Sequence, residues 1–376
     1  MDILHEIISA LQSQERVMLA TIISTTGSTP ASALSKMLVK ENGKSWLGTV
    51  GGGCLEGDVL QEAIRMYSSG EAKILAFHLN ETNLDHGLIC GGNLDVLIEP
   101  LTKRDVPVML EVKALRDEGN DCVIVTLLSH NGTVGEKTCF AATTLPLGEI
   151  LDDRLKRINP LLTSAEAVDL KAAIGKASHR NETRRVVTTS GEIIVEPVSG
   201  TPHLVIFGGG HVSKYISRAA SMVGFRITII DDRSEYANAV RFPEAERTLA
   251  LDFSEALSQI SVTPSTYIVI VTRGHRSDEE ILEKAAGLPA KYIGMIGSKR
   301  KVLTTFEHLA GRGVSADLLN RIHAPIGIEI GATTAEEIGI SIVAQLIAVR
   351  RGEVEVQKNK SDALKGLITQ IAQIAR

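Results

Sequence analysis

The stretch His203–Gly224, HLVIFGGGHVSKYISRAASMVG, constrains the fold more than any other part of this chain. Leu204 to Phe207 is an unbroken apolar run, the pattern of a strand buried on both faces. Gly208, Gly209 and Gly210 then let the backbone turn tightly, and Val212 to Met222 reads as a helix. A strand–glycine turn–helix unit aims free N–H groups above the strand, and the helix dipole favours an anion there. A second strand, Arg226 to Ile230, ends in Asp231 and Asp232, where dinucleotide-binding folds hold a ribose hydroxyl. The last small position of the fingerprint is Ser213 rather than Gly or Ala. A tight turn with no ligand would produce the same pattern, so it speaks to architecture before function.

Strand and helix keep alternating beyond this unit. Helices are expected at Ser254 to Ile260, Asp278 to Ala286, Arg300 to Ala310 and Ala335 to Arg351, with strands at Tyr267 to Val271 and Tyr292 to Ile296. Ser277 with Glu280, and Thr333 with Glu336, have capping-box spacing and are read as helix starts. Such alternation implies a parallel sheet covered on both faces, with ligands beyond the carboxyl ends of its strands. The first hundred residues read differently. They give a helix through Leu4, Ile7, Ile8 and Leu11, a strand from Val17 to Ser24, and a hairpin about Asn42-Gly43. A helix at Leu55 to Tyr67 and strands at Ala72 to Leu79 and Leu94 to Glu99 come next. From Pro107 onward the signals are strand-like at Cys122–Ser129, helical at Leu161–Ala173 and strand-like at Glu192–Glu196. The fold class is therefore α/β. An N-terminal α+β domain is expected over 1–196, a C-terminal Rossmann-like doubly wound parallel sheet over 203–352, and a helical tail over 353–376.

Composition narrows the class of protein. A length of 376 residues exceeds one ordinary core, and 44% hydrophobic with 23% charged residues is a globular balance. A net charge of −5 argues against a general binder of nucleic acid or anionic membrane. The four cysteines have no paired spacing, no run is long enough to span a membrane, and Met1 to Gln14 lacks the pattern of a signal peptide. The composition is that of a soluble cytoplasmic protein. In the tail, Ala363, Leu364, Leu367, Ile368, Ile371 and Ile374 form an apolar stripe that needs a cover, and a homodimer is the expected one.

Candidate site residues gather at the expected strand ends: Gly208, Gly209, Gly210 and His211; Asp231 and Asp232; Arg273 and His275 in TRGHRSD; and Ser298, Lys299 and Arg300 in GSKRK. Cations beside helix-start amides make a place for phosphate or a similar oxyanion. Solvated loop residues would look the same in sequence. His211 and His275 are expected near each other, but neither has metal-ligand spacing within a helix. In the N-terminal half, GGGCLEGD and ICGGN set Cys54 and Cys90 beside glycines, where a thiol is not walled in. Cys54 would open a helix whose dipole favours a thiolate. Cys122 and Cys139 lie in apolar context and are read as core residues.

TVGGGCLEGDVL, CGGNLDVLIEP, FGGGHVSK, IIDDR, RFPEA, VTRGHRSDEEIL, YIGMIGSKRK and PIGIEIGATTAEEIGISIVAQLIAVRRG stand here in one order. Together they resemble the XdhC/CoxI family of xanthine dehydrogenase accessory proteins, while about Thr102 to Thr201 carries no such motif. One departure falls after STTGSTP, where the family continues with a basic residue and a glycine and this chain has Ala31, Ser32, Ala33 and Leu34. The resemblance implies a chaperone that binds molybdenum cofactor (molybdopterin), protects it while a cysteine desulfurase adds the terminal sulfur, and inserts it into a molybdenum hydroxylase apoenzyme. Molybdopterin's phosphate or nucleotide end would suit the glycine and basic loops. Its molybdenum–sulfur end would suit Cys54 and Cys90, which could come near the metal but are not assigned as ligands. A two-domain cleft could hold both ends. The alternative is an NAD(P)-dependent oxidoreductase with Asp231 or Asp232 on the ribose and a histidine as acid–base group. A third is an adaptor with a vestigial nucleotide fold. The sequence contains no recognisable hydride-transfer set, which favours the chaperone.

Overall fold

The computed structural model describes residues 2–13, 16–79, 91–142, 148–352 and 362–374. Its contacts separate into two units, Met1–Gly200 and Thr201–Arg376. The first unit runs α1 (Ile3–Gln12), β1 (Val17–Thr26), β2 (Lys36–Lys40), β3 (Ser45–Gly48), α2 (Gly53–Ser69), β4 (Lys73–His78) and β5 (Asn93–Leu101). It continues with α3 (Val106–Asp117), β6 (Cys122–Ser129), β7 (Val134–Ala141), α4 (Gly148–Ile158), α5 (Ser164–Arg180), β8 (Arg184–Thr188) and β9 (Gly191–Val198). The second unit comprises β10 (His203–Phe207), α6 (His211–Met222), β11 (Arg226–Asp231), β12 (Arg247–Ala250), α7 (Phe253–Ala256), β13 (Thr266–Ile270) and α8 (His275–Ala286). β14 (Tyr292–Met295), α9 (Lys299–Gly311), α10 (Ala316–Arg321), β15 (Ile322–His323), α11 (Ala335–Arg351) and α12 (Asp362–Ile374) complete it.

In the first unit two antiparallel sheets stack. The five-stranded sheet has the order β3-β2-β1-β5-β4, and the four-stranded sheet β7-β6-β9-β8. Alternation assigns the faces. Met18, Ala20, Ile22, Val96 and Ile98 meet Leu55, Val59 and Ala63 of α2, while Ile23 and Leu97 meet Leu128 and Ile194 of the other sheet. Leu155 and Ile158 of α4, with Leu170 and Ile174 of α5, cover the far face of the second sheet. Between the sheets lies a polar layer. Lys137 pairs with Glu99 and donates to Thr126 Oγ1 at 3.0 Å, and Lys36 Nζ reaches Glu196 at 2.7 Å and Thr21 at 3.0 Å.

The second unit is the expected doubly wound sheet. Its six strands, in the order β12-β11-β10-β13-β14-β15, are all parallel. Leu204 and Ile206 pack on one face with α6 and α11, and Val205 and Phe207 on the other with α7, α8, α9, α10 and α12. Chain direction across the sheet reverses between β10 and β13, which creates the switch-point crevice. Among the described residues no helix is long and apolar enough to cross a membrane.

Several expectations change. α3, β7, α4, β8, β12 and α10 carried too little pattern to be read. The helix expected at Ser254 to Ile260 is only α7 and a following 3-10 turn, Leu257–Gln259. α8 starts from Gly274, so Ser277 lies inside its first turn rather than at its cap. α11 is capped by Thr334 with Glu337, one residue beyond the expected pair. Part of the stripe of α12 packs within its own unit: Ile368 is buried, and Leu367 and Ile371 pack beside it against the α9–α10 core.

His203, at the start of β10, approaches Thr228 Oγ1 at 2.9 Å. Burial, with Arg226 and Arg247 nearby, pushes its pKa down from 6.5 to about 4. The native state keeps it neutral where the unfolded chain already binds a proton. Stability is thus unaffected above pH 6.5 and falls as pH drops from 6.5 towards 4, by up to about 1.4 kcal/mol per pH unit. Urea titrations across this range should show that slope, and His203→Gln should flatten it.

Candidate functional site

β10 ends in the glycine turn, and its three glycines have different reasons to be there. Gly208 has φ +104, and a Cβ would stand 2.5 Å from the Val271 carbonyl oxygen. A Cβ on Gly209 would overlap the carbonyl of Tyr236. Gly210 has an ordinary φ of −69 and caps α6, and a Cβ there would meet nothing within 4 Å. The protein itself requires the first two. The third faces open space, where a side chain would occupy room a ligand could use.

α6 and α8 begin at the neighbouring strands β10 and β13, from Gly210 and Gly274, and neither has a capping side chain. Their first-turn amides and positive dipole ends flank the switch point. His211 and His275 are the first residues of these helices and both are exposed. The helices themselves pack on opposite faces of the sheet. At the next strand end Ser298 caps α9, accepting from Lys301 N at 3.3 Å, with Lys299 and Arg300 exposed on the first turn.

The carboxylates behave differently from the simple ribose reading. Asp231 is buried and accepts from Gly209 N at 2.7 Å, Arg233 N at 3.1 Å and Arg233 Nε at 2.9 Å. Burial would raise its pKa, but the Arg233 hydrogen bonds and the two amides outweigh that and hold it below the usual carboxylate range. Asp231 therefore braces the turn. Asp232 is more exposed and pairs with Arg273 Nη2 at 3.1 Å and Arg233 Nε at 3.5 Å. Because β10 lies between β11 and β13, the Arg273–Asp232 pair links the loops on either side of the glycine turn. Asp278, from the TRGHRSD segment, is a buried strut held by Thr272 Oγ1 at 2.6 Å and by Lys301.

Sequence reasoning missed Tyr236 and Arg241. Arg241 Nε donates to the Gly209 carbonyl at 2.8 Å, and its guanidinium lies 4.9 Å from the Tyr236 ring centroid. Arg233 stacks on the same ring at 3.5 Å. RFPEA was visible as a motif, but nothing in its spacing says that it reaches back to the turn.

In the first unit, Gly51, Gly52 and Gly53 all have positive φ and lead into α2, whose second residue is the exposed Cys54. A Cβ on Gly51 would press on Pro30 at 2.9 Å, and one on Gly92 would overlap the Ser28 carbonyl. The Gly27–Pro30 loop thus touches both the GGGC turn and Gly92. Cys90 lies outside the described residues. Ala31, one of the residues that replace the family's basic position, packs against the core under α2. Cys122 and Cys139 are buried, and a hydrogen bond with Cys122, together with burial, pushes the Cys139 thiol far up. In the folded protein an alkylating reagent should label Cys54 and leave these two unmodified, as peptide mass spectrometry would read out. Labelling of Cys122 or Cys139 before Cys54 would reverse the assignment. Among the described residues no group of three or more His, Cys, Asp or Glu is placed to hold a metal ion.

Comparison with known proteins agrees with this layout. Residues 204–346 match the XdhC Rossmann domain and residues 10–78 the XdhC and CoxI family. An uncharacterized protein of Escherichia coli, YqeB, is 35% identical over 40% of this chain, a match that spans only 27% of that protein. A probable xanthine dehydrogenase subunit of Bacillus subtilis is 24% identical over 92% of this chain and 97% of its own length. The molybdenum cofactor insertion chaperone PaoD of Escherichia coli is 21% identical over 94% of this chain and 89% of its own. A crystal structure of a xanthine dehydrogenase from Bacillus halodurans, 25% identical, aligns over 96% of this chain and 99% of that one with a TM-score of 0.68.

Proposed function

The chain belongs to the XdhC and CoxI family, and we propose that it is a cytoplasmic accessory chaperone whose cargo is the molybdenum cofactor. The observation that carries this reading is Gly210, the one glycine of its turn that the protein's own packing does not demand, at the open amide end of α6. A phosphate-bearing ligand needs such a place. Gly208 to Gly210, His211, Arg273, His275, Lys299 and Arg300 would receive the phosphate or nucleotide end of molybdopterin. The exposed Cys54 at the start of α2, with Cys90, would serve the molybdenum–sulfur end, where a soft ligand is preferred over oxygen. In this role the protein holds the cofactor while a cysteine desulfurase supplies sulfur, and passes it to a xanthine dehydrogenase-type apoenzyme. The relative named as an insertion chaperone supports it over nearly the full chain. A dehydrogenase role has weaker support, because Asp231 is already committed to the glycine turn.

Protein purified without oxygen and analysed by mass spectrometry should release molybdopterin, and Cys54→Ala protein should release less. Release of NAD(P) alone would overturn the proposal.

A further inference from the structure

We infer that the β11 side of the switch-point crevice accepts a phosphomonoester, read by Arg233, Arg241 and Arg273, in preference to an unesterified ribose diol. The inference rests on the reading that the glycine turn receives a phosphate-bearing ligand, and it adds the group that lies beside that phosphate. A ribose diol at this place needs a carboxylate free to accept its hydroxyl protons. Asp231 is filled by Gly209 N and Arg233, and Asp232 is already ion-paired with Arg273 and Arg233.

The arginines, by contrast, have capacity to spare. Arg241 carries the clearest sign of an incomplete set, for its Nη2 is buried with no hydrogen-bond partner among the described residues. Its Nε is fixed on the Gly209 carbonyl, which holds the group at the turn. Arg273, more than half exposed, bonds Asp232 through Nη2, a contact a dianionic phosphate could take over without disturbing the core. Tyr236, stacked under Arg233 and near Arg241, keeps the two planes in place. A phosphomonoester supplies the acceptor oxygens this arrangement lacks.

The test is calorimetric titration of the full chain with NAD and with NADP, which differ by a single ribose phosphomonoester. NADP should bind at least about ten-fold more tightly, the effect of one added charge-assisted contact. Arg241→Met should erase most of that preference. Arg273→Gln, a change at an exposed residue, should reduce it. Equal affinity for NAD and NADP overturns the inference while leaving the phosphate reading of the turn intact. If neither dinucleotide binds, both fall.

Discussion

Lys137→Met should cost the first unit about 3–5 kcal/mol, because it leaves the Glu99 carboxylate buried without its cation. Lys137 is 1% exposed and Glu99 is 7% exposed, so water cannot replace the lost partner. Their attraction need not itself stabilise the fold strongly, since both charges were desolvated to make it. The double variant Lys137→Met/Glu99→Leu should therefore recover most of the loss. Equilibrium urea unfolding of the three proteins decides it. A single variant within about 1 kcal/mol of the native chain would show that the layer between the sheets is wet.

The glycine turn should separate folding from binding. Gly208→Ala combines a left-handed φ with overlap on the Val271 carbonyl, and should destabilise the second unit by about 3 kcal/mol or more. Gly210→Val has neither problem, and its unfolding midpoint should stay close to native, with a loss of at most about 1 kcal/mol from the poorer cap. The same valine would fill the space above the turn and should weaken cofactor or nucleotide binding at least about ten-fold, a loss of some 1.4 kcal/mol. Denaturation and titration of both variants give the pattern. Native affinity in Gly210→Val would remove the turn from the site.

The second unit was legible because its strands are buried on both faces. A run such as Leu204–Phe207 needs no partner to be recognised, and the glycine turn fixes the start of the helix after it. The region around 102–201 was only partly legible, for the opposite reason: β6, α5 and β9 could be read, but not β7. Its second sheet faces a polar layer, so Lys137 interrupts β7 just where an apolar inward residue would have shown the period. At the site, sequence placed Asp231 and Asp232 correctly at a strand end. It could not show that Asp231 turns inward onto Gly209, or that Arg241, thirty-two residues from that glycine, returns to it. These are long-range contacts made by single side chains, and no local spacing records them.

We propose that this chain delivers a mature cofactor rather than converting a metabolite. The direct measurement is molybdenum and cyanolysable sulfur per mole of a molybdenum hydroxylase purified from cells with and without this protein. The chaperone reading predicts a folded hydroxylase short of sulfurated cofactor when the protein is missing, and full loading when it is restored. Cys54→Ala should restore little. Full loading in its absence, or steady NAD(P)H turnover by the isolated chain with a small substrate, would contradict it.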